Sequence, residues 1–420
     1  MTRLARTAAD EARNTAMGAG VVNDPYPLLH QLRAECPVAH GAIPERFGMR
    51  SAIGTPEAGE FAVLGIEEGR RVLREEGFSS RWYDPIVGST IGQSMLNLDP
   101  PEHQRHRSLL QPAFSQRSME RWERDIVQPI VAGYLDALVT RGCRADLYGE
   151  FASHIPIHVM AQALGLPAED EALFVDWAVT MTSFVEPMER RIAASRAMED
   201  YIRPMVLARR ARPDQYGDLL ATLVQAQVPS DTDDDVRRDP LSDEELATFV
   251  RLLVVAGAST VYRGFGLLLY ALLTHPDQMA AVRADRSLVP QAIEEALRWE
   301  QPVASIGRIC TTATTISTAR IPEGAAVVVE LGAANRDPAG WSDPDSFDIF
   351  RPPKPHLGFG FGRHLCLGIH LARMELRVML EAVLDALANL RLDSDAGPVG
   401  TTGLQFRMVT GLPVVWDRSS

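Results

Sequence analysis

The stretch that decides the fold is Phe359-Gly360-Phe361-Gly362-Arg363-His364-Leu365-Cys366-Leu367-Gly368. It is a glycine-rich loop that places one cysteine just before a predicted amphipathic helix, in which apolar residues recur with the helical period from Ile369 to Leu384. The partial positive charge at the start of that helix favours a thiolate at Cys366, and a thiolate is a good metal ligand for iron. Because the glycines leave backbone without side chains, a large flat ligand can lie against the loop. The loop is therefore predicted to form half of a pocket.

Two other interpretations of this loop stay open. Cys366 can be a buried structural cysteine on a helix-capping turn, which is the usual situation of a free cysteine. The run Gly358-x-Gly360-x-Gly362 is also superficially similar to a phosphate-binding loop. It lacks the third glycine spacing of such loops, and prolines stand where a strand should precede it.

The loop resembles the haem-binding signature of the cytochromes P450, Phe-x-x-Gly-x-(Arg or His)-x-Cys-x-Gly, and matches it at every fixed position. His364 fills the basic position. The resemblance implies haem b as the cofactor, Cys366 as the ligand of its iron, and contacts to the haem from Phe359, Gly360 and Gly368. A thiolate ligand increases electron density at the iron and favours cleavage of the O–O bond on the opposite face.

The composition excludes several classes of protein. With a net charge of −13 and a pI near 5.3, binding to nucleic acid or to anionic lipid is not expected. Four widely spaced cysteines, Cys36, Cys143, Cys310 and Cys366, predict no disulfide framework and fit a cytoplasmic location. Residues 1–20 lack an apolar core, so we expect a flexible N-terminal segment and neither a signal peptide nor a membrane anchor.

Helical periodicity dominates the chain. The predicted helices cover residues 26–33, 68–75, 102–113, 119–138, 173–184, 192–211, 241–273 and 288–299. The predicted strands cover residues 60–64, 314–317, 325–330, 404–409 and 413–416, and the last two are expected to pair as a hairpin through Thr410-Gly411. This pattern predicts a mainly α fold with a small β part (α+β). The resemblance implies that residues 1–420 form a single cytochrome P450 domain, with a long central helix over a haem held by the cysteine loop.

The central helix is predicted to begin with a capping box at Ser242-Asp243-Glu244-Glu245 and to end at His275-Pro276, which makes it about 45–50 Å long. In its middle, Ala256-Gly257-Ala258-Ser259-Thr260 resembles the oxygen-binding stretch of the P450 central helix, Ala-Gly-x-(Asp or Glu)-Thr. The resemblance implies that Gly257 lets the backbone approach the haem and that the Thr260 hydroxyl holds water and passes protons to bound dioxygen. The alternative is a helix contact in which Thr260 bonds back to the carbonyl of Ala256.

This stretch departs from the family pattern at one position. Where the pattern has a carboxylate, this chain has Ser259, whose hydroxyl is not ionised near neutral pH. The family's usual route for protons is therefore in question. Ordered water, a side chain from elsewhere or a polar group of the substrate can replace it, or the chemistry can be an oxidation that depends less on this route.

A second motif, Glu295-x-x-Arg298, resembles the Glu-x-x-Arg motif of the same family, and Arg351 matches its third partner. An acidic and a basic residue at this spacing usually form a surface pair worth about 0.2–0.5 kcal/mol. The resemblance implies instead a buried ion-pair network behind the cysteine loop, with bidentate contacts. These residues are expected to retain haem rather than to act on substrate.

Four basic residues stand where the resemblance places contacts to the haem propionates: His103, Arg107, Arg308 and His364. His103 and Arg107 are one helical turn apart, so both should project from one face of their helix. Each residue alone is more often an ordinary surface cation or a hydrogen-bonded histidine. Together they are expected to neutralise two carboxylates in an otherwise acidic protein.

The segments that line the substrate pocket of the family are mostly apolar or small in this chain. The implied substrate contacts are Ile86, Val87, Met95, Leu96, Val255, Val303, Ile306, Met408 and Val409. They predict an apolar, uncharged or weakly polar small molecule, such as a terpenoid, steroid, fatty acyl or polyketide compound.

The reaction implied by the resemblance is monooxygenation, that is, hydroxylation or epoxidation with O2 and with electrons that come indirectly from NAD(P)H. Since no reductase module is recognisable, a separate ferredoxin and ferredoxin reductase are expected, with the protein a monomer. Surface cations such as Arg105 or Arg363 are candidates to receive that acidic partner. Two other hypotheses remain: a P450-fold enzyme that uses peroxide or couples or rearranges its substrate, which Ser259 keeps open, and a non-catalytic haem sensor or carrier.

Overall fold

The computed structural model describes residues 22–49, 51, 56–182, 186–228 and 238–418 of this chain. The expected flexible segment at residues 1–20 lies outside the described residues. Within them, helices form most of the structure and strands are short.

Each predicted helix has a counterpart in the structure, although residues 183–184 of the one predicted over 173–184 lie outside the described residues. The helices at residues 155–163, 219–224 and 276–284 were not predicted. The α-helices have the bounds α1 Tyr26–Glu35, α2 Ile43–Arg46, α3 Ile66–Arg74, α4 Ser89–Ile91, α5 Glu102–Leu110, α6 Gln116–Trp122, α7 Gln128–Arg141, α8 Ile155–Ala163, α9 Glu171–Thr182, α10 Met188–Ala211, α11 Leu219–Val224, α12 Asp243–Thr274, α13 Pro276–Ala284, α14 Val289–Trp299, α15 Leu331–Ala334 and α16 Ile369–Ala386. The single helix predicted over residues 119–138 is wrong in detail, because the π-helical turn Glu123–Val127 separates α6 from α7.

The strands form four small sheets. Their bounds are β1 Val38–His40, β2 Glu60–Val63, β3 Phe78–Ser79, β4 Arg144–Asp146, β5 Ser305–Cys310, β6 Thr314–Ile316, β7 Ala319–Ile321, β8 Ala326–Glu330, β9 Ala388–Leu392, β10 Thr401–Thr402, β11 Met408–Val409 and β12 Pro413–Asp417. The largest sheet has the order β1-β2-β8-β5-β3, and β2 and β8 in it are parallel. With the mainly helical body, these sheets confirm the α+β class.

The predicted carboxy-terminal hairpin is wrong. β11 pairs with β10, whereas β12 lies between β4 and β9 in a different sheet. The two runs therefore follow each other in sequence without pairing with each other. The turn at Thr410-Gly411 changes the direction of the chain between two sheets. Periodicity alone does not show with which strands β11 and β12 pair.

The central helix α12 has the predicted capping box. The amide of Glu245 donates to Ser242 Oγ at 3.1 Å, and the amide of Ser242 donates to Glu245 Oε2 at 2.7 Å. The helix is 32 residues long, apolar enough to cross a membrane by composition, and more than half of its most apolar stretch is buried by the rest of the protein. Helices α8, α10, α14 and α16 all contact it, so α12 forms the axis of the largest apolar core.

Candidate active site

The cysteine loop is held by its own backbone. The amide of Cys366 donates to the carbonyl of Phe359 at 3.0 Å, and the amide of Leu365 donates to that of Gly362 at 3.0 Å. Gly360 and Gly362 have φ values of 74° and 71°, which side chains rarely allow. A Cβ atom on Gly362 would also lie only 2.6 Å from the carbonyl oxygen of Leu73 in α3. The glycines thus let the loop turn back and set Cys366 before the first turn of α16.

Electrostatics at Cys366 differ from the expectation drawn from the helix dipole. Burial raises the pKa of the Cys366 thiol, against the opposing influence of a hydrogen bond from the Gly368 amide and of the charges of Arg107 and Arg373. The amide at the helix start therefore favours the anion as predicted, but in the protein alone desolvation outweighs it. A directly coordinated metal cation is the kind of group that would deprotonate a buried thiol.

The structure brings the four basic residues of the predicted clamp together at this loop. The rings of His103 and His364 lie with their centroids 4.0 Å apart, and Nη1 of Arg107 donates to the carbonyl of Leu365 at 2.6 Å. Burial is the largest cause that lowers the pKa of His364. The neighbouring charges of His103, Arg308 and Arg107 lower this pKa further. Mutual repulsion of this kind is expected where cations converge on one point.

Two of these side chains, His103 and Arg308, are buried without an anionic partner among the described residues. Among those residues, Nε2 of the buried His103 has no hydrogen-bond partner, and Arg308 is 3% exposed without an ion-pair partner. Burial lowers the pKa of His103 to about 4. A Cβ atom on Gly368 would meet no atom within 4 Å, so there is space beside Cys366. A buried arginine without a carboxylate partner, a histidine nitrogen without a hydrogen-bond partner and open backbone beside a thiol fit an iron ligand that is flat and carries two carboxylates.

Sequence reasoning missed the polar residues that support this cluster. Ser80 Oγ lies 2.8 Å from His364 Nε2, and the carboxylate of Asp99 accepts from the Ser80 amide at 2.9 Å and from Ser79 Oγ at 2.5 Å. The Arg308 guanidinium donates a hydrogen bond to the Tyr83 hydroxyl. Ser79 ends β3, and Ser80, Tyr83 and Asp99 follow it before α5, where no periodic signal marks them.

The central helix presents the predicted oxygen-binding stretch as regular helix. Thr260 Oγ1 donates to the carbonyl of Ala256 at 3.0 Å, which is the alternative contact considered for it. A Cβ atom on Gly257 would lie 3.3 Å from Cγ of Met160, so packing against α8 explains this glycine. Ser259 is partly buried. In this contact Thr260 uses its hydroxyl proton, while its oxygen can still accept a hydrogen bond; only donation of that proton would require the Ala256 contact to break.

Behind the cysteine loop, Glu295, Arg298 and Arg351 form one buried network. Arg298 donates from Nε and Nη2 to the two carboxylate oxygens of Glu295 at 2.8 and 2.7 Å. Arg351 Nε donates to Glu295 Oε1 at 3.3 Å. Arg298 also donates to the carbonyls of Asn335 and Pro344 at 3.0 and 2.8 Å. The network ties α14 to the segment that precedes the cysteine loop.

The predicted substrate contacts are divided among different packing clusters. Val87, Met95, Leu96, Val255 and Val409 belong to the largest apolar core or pack against it. Ile86 packs against the cluster of Trp82 and Val328, and Ile306 in β5 comes near the cysteine loop, with Cδ1 3.5 Å from the Cβ position of Gly360. Val303 forms a bridge to Phe406, and Met408 is fully buried in β11.

The expectation that Arg105 receives a partner at the surface is wrong. Arg105 is 2% exposed, and its Nη1 and Nη2 donate to the Glu245 carboxylate at 2.6 and 3.1 Å. Arg363 lies closer to the surface, with Glu76 3.4 Å away. Of the two proposed cations, only Arg363 has an accessible guanidinium.

Comparison with known proteins supports the same interpretation. A family model described as Cytochrome P450 matches residues 168–388. The chain is 36% identical over 412 residues to the cytochrome P450 monooxygenase PikC of Streptomyces venezuelae, covering 96% of this chain and 94% of that protein. It is also 36% identical to the vitamin D3 dihydroxylase of Streptomyces griseolus, covering 85% of this chain and 87% of that protein.

Solved structures agree in fold. A crystal structure of P450BioI in complex with an acyl carrier protein carrying hexadec-9Z-enoic acid has a TM-score of 0.81 and 28% identity, covering 94% of this chain and 99% of that one. The P450 enzyme CxnD, for C–S bond formation in chuangxinmycin biosynthesis, has a TM-score of 0.80 and 28% identity, covering 95% and 96%.

Proposed function

This chain belongs to the cytochrome P450 family and is a monooxygenase of that family, and we propose that it hydroxylates or epoxidises an apolar small molecule with O2. One observation carries the proposal: His103, Arg107, Arg308 and His364 gather at the Cys366 loop, and among the described residues the buried Arg308 has no ion-pair partner and Nε2 of the buried His103 has no hydrogen-bond partner. Such a site fits an iron porphyrin held by a thiolate below and by two neutralised propionates at its edge.

In this proposal, haem b is held by residues of three segments. Cys366 binds the iron, while Phe359, Gly360 and Gly368 provide the backbone surface next to it. His103, Arg107, Arg308 and His364 neutralise the propionates. Glu295, Arg298 and Arg351 keep the loop in position and contact neither haem nor substrate. Haem, when bound, supplies the activation of O2 and the oxidation of the substrate.

The protein's own task is to position the substrate and to control water and protons. The residues proposed to contact substrate are almost entirely apolar, namely Ile86, Val87, Met95, Leu96, Val255, Val303, Ile306, Met408 and Val409. Such a lining binds by excluding water from a carbon skeleton. Relatives named 6-deoxyerythronolide B hydroxylase and vitamin D3 dihydroxylase act on large, carbon-rich molecules, which supports the terpenoid, steroid, fatty acyl or polyketide class for this chain.

Electrons are proposed to come from NAD(P)H through a separate ferredoxin and ferredoxin reductase in the cytoplasm, with this protein a monomer. The accessible guanidinium of Arg363, which directly precedes the proposed propionate ligand His364, is a suitable contact for an acidic carrier. Because Arg363 pairs with the exposed Glu76, docking would exchange one carboxylate for another.

Two observations on the central helix support a second candidate function. Ser259 replaces the acidic residue of the family pattern, and the neighbouring Thr260 hydroxyl is engaged by Ala256. An enzyme that accepts peroxide, or that couples or rearranges its substrate, depends less on proton delivery at this place. The structural similarity to a C–S bond-forming P450 supports keeping this alternative.

The test begins with the holoprotein. The reduced carbon monoxide complex should absorb near 450 nm in the wild type, and Cys366→Ala should lose that band, with Cys143→Ala as a control that keeps it. Turnover of apolar natural products with NAD(P)H and a ferredoxin system is then compared with turnover on peroxide alone. A protein without bound haem would contradict the proposal, and product from peroxide alone would favour the second function.

A further inference from the structure

A buried arginine connects the proposed substrate loop to the helices beside it. Arg191 lies in the first turns of α10 and is 6% exposed. Burial lowers its pKa, and no carboxylate among the described residues comes within ion-pair distance of it. A buried cation that finds no counter-ion in the part of the chain that the structure describes is costly to maintain, so its place in the fold calls for a specific role.

One hydrogen bond of Arg191 reaches the proposed substrate loop. Its Nη2 donates to the carbonyl of Ile86 at 3.1 Å. Ile86 lies in the π-helical turn Asp84–Gly88, and the same carbonyl accepts from Thr90 Oγ1 at 3.0 Å and from Ser89 Oγ at 3.3 Å. π-Helical turns are rare and frequently occur at functional sites. The guanidinium therefore holds the loop at a carbonyl on which three donors converge.

The other hydrogen bond reaches the end of the preceding helix. Arg191 Nε donates to the carbonyl of Met181 at 3.1 Å, in the last turn of α9. Carbonyls in the last turn of a helix lack partners within the helix and are stabilised by a cation. Arg191 thus joins the end of α9, the start of α10 and the turn at Ile86 through one side chain.

A second connection runs between the same parts through the central helix. Thr248 Oγ1 donates to the carbonyl of Ile91 at 3.5 Å and accepts from Arg251 Nη2 at 2.9 Å. Arg251 Nη1 donates to Ser195 Oγ at 2.8 Å, on the same helix as Arg191. The loop is therefore fixed to α10 at two points. The Arg251 connection has a carboxylate partner, Glu199 at 3.1 Å, whereas the Arg191 connection depends on neutral carbonyls.

We propose that Arg191 is a positioning residue that holds the loop from Asp84 to Leu96 closed against α9 and α10, and so limits which molecules reach the active site and how fast. The proposal rests on the function proposed above for Ile86, Val87, Met95 and Leu96. Hydrogen bonds to main-chain carbonyls can be exchanged for water without leaving a buried carboxylate unpaired. The Arg191 connection can therefore open while that of Arg251 stays in place.

Hydrogen exchange tests this directly and without haem. In Arg191→Met, which keeps most of the apolar stem, amides of residues 84–92 should exchange at least about tenfold faster than in the wild type, as expected for loss of a charge-assisted hydrogen bond. Arg190→Met is the matched control, because the adjacent Arg190 is exposed and pairs only with Glu186 at 3.0 Å among the described residues. Its exchange over 84–92 should equal that of the wild type.

A second measurement concerns access. Clotrimazole, a bulky azole, should bind and leave Arg191→Met holoprotein about tenfold faster than wild type, while imidazole, which is small, should show unchanged rates. Unchanged exchange over 84–92 in Arg191→Met would overturn the proposal. If that variant does not fold, Arg191→Lys decides: its ammonium cannot reach both carbonyls, so faster exchange supports the proposal and wild-type exchange contradicts it. A protein that binds no haem would contradict the proposed function and leave the exchange result valid.

Discussion

Arg298 contacts both carboxylate oxygens of Glu295 at 2.7 and 2.8 Å, with both side chains at most 5% exposed. Removing one partner of a buried pair costs about 3–5 kcal/mol, and without Arg298 the carboxylate of Glu295 would keep, among the described residues, only the longer ion pair to Arg351 at 3.3 Å. We expect Arg298→Met to lower the free energy of unfolding by about that amount and to reduce haem content at expression temperature. Urea unfolding followed by circular dichroism measures the first effect.

The control for that prediction is Asp385→Asn. Asp385 pairs with Arg286 at 2.7 Å but its side chain is 72% exposed. A surface pair of this kind is worth at most about 1 kcal/mol. Equal losses in Arg298→Met and Asp385→Asn would mean that the buried network contributes no more than a surface contact.

Gly362→Ala should disturb the cysteine loop. The new Cβ atom would combine a φ of 71° with a distance of 2.6 Å to the Leu73 carbonyl oxygen, so we expect a loss of about 1–3 kcal/mol in stability. Gly400→Ala has neither a positive φ nor an atom within 4 Å of its Cβ and should be neutral. Thermal unfolding of the two variants compares them, and a neutral Gly362→Ala would show that the loop can relax.

Ser259→Asp restores the acidic residue of the family pattern one position before Thr260. It should change the coupling of NAD(P)H consumption to product by severalfold and leave haem content unchanged, because the side chain belongs to the central helix and not to the cysteine loop. Ser259→Asn, of similar size but without charge, is the control. The same coupling in all three proteins would remove proton delivery as the meaning of this departure.

Glu375 in α16 should make stability depend on pH. The side chain is 1% exposed, its Oε2 has no partner among the described residues, and burial raises its pKa from 4.5 to about 8. The folded protein therefore holds a proton that the unfolded chain releases, so the stability of the wild type falls as pH rises from about 4.5 to about 8.

Glu375→Gln removes this titration. Its stability relative to the wild type should increase by about 3 kcal/mol between pH 5.5 and pH 8.5, in urea unfolding at the two pH values. Glu381→Gln is the control on the same helix, since Glu381 is exposed enough to pair with Arg377 at 3.0 Å in contact with water. A constant difference between Glu375→Gln and wild type would mean that the carboxyl group is ionised throughout.

The parts of the structure that depend on local sequence could be predicted. The capping box of the central helix needs residues only three positions apart, and the turns at Gly360 and Gly362 need residues without a Cβ atom. Periodicity also marked most helices, because an amphipathic pattern is a property of one segment.

Contacts between distant segments could not be predicted in this way. In the sequence Arg105 resembles a surface cation, but in the structure it is buried and pairs with Glu245, 140 residues later in the chain. Likewise, neither Asp99 nor Ser80 belongs to a motif, yet both position His364. The pKa of Cys366 was misjudged for the same reason, since burial depends on the whole fold while the helix dipole is local.

The last strand, Pro413–Asp417, lies between Arg144–Asp146 and Ala388–Leu392 and pairs with both. A chain emerging from the ribosome therefore exposes Arg144–Asp146 without its neighbour during the synthesis of some 270 further residues. Until then its open edge is available to other strands. Truncation just before Pro413 should consequently harm solubility in the cell more than the loss of eight terminal residues would suggest.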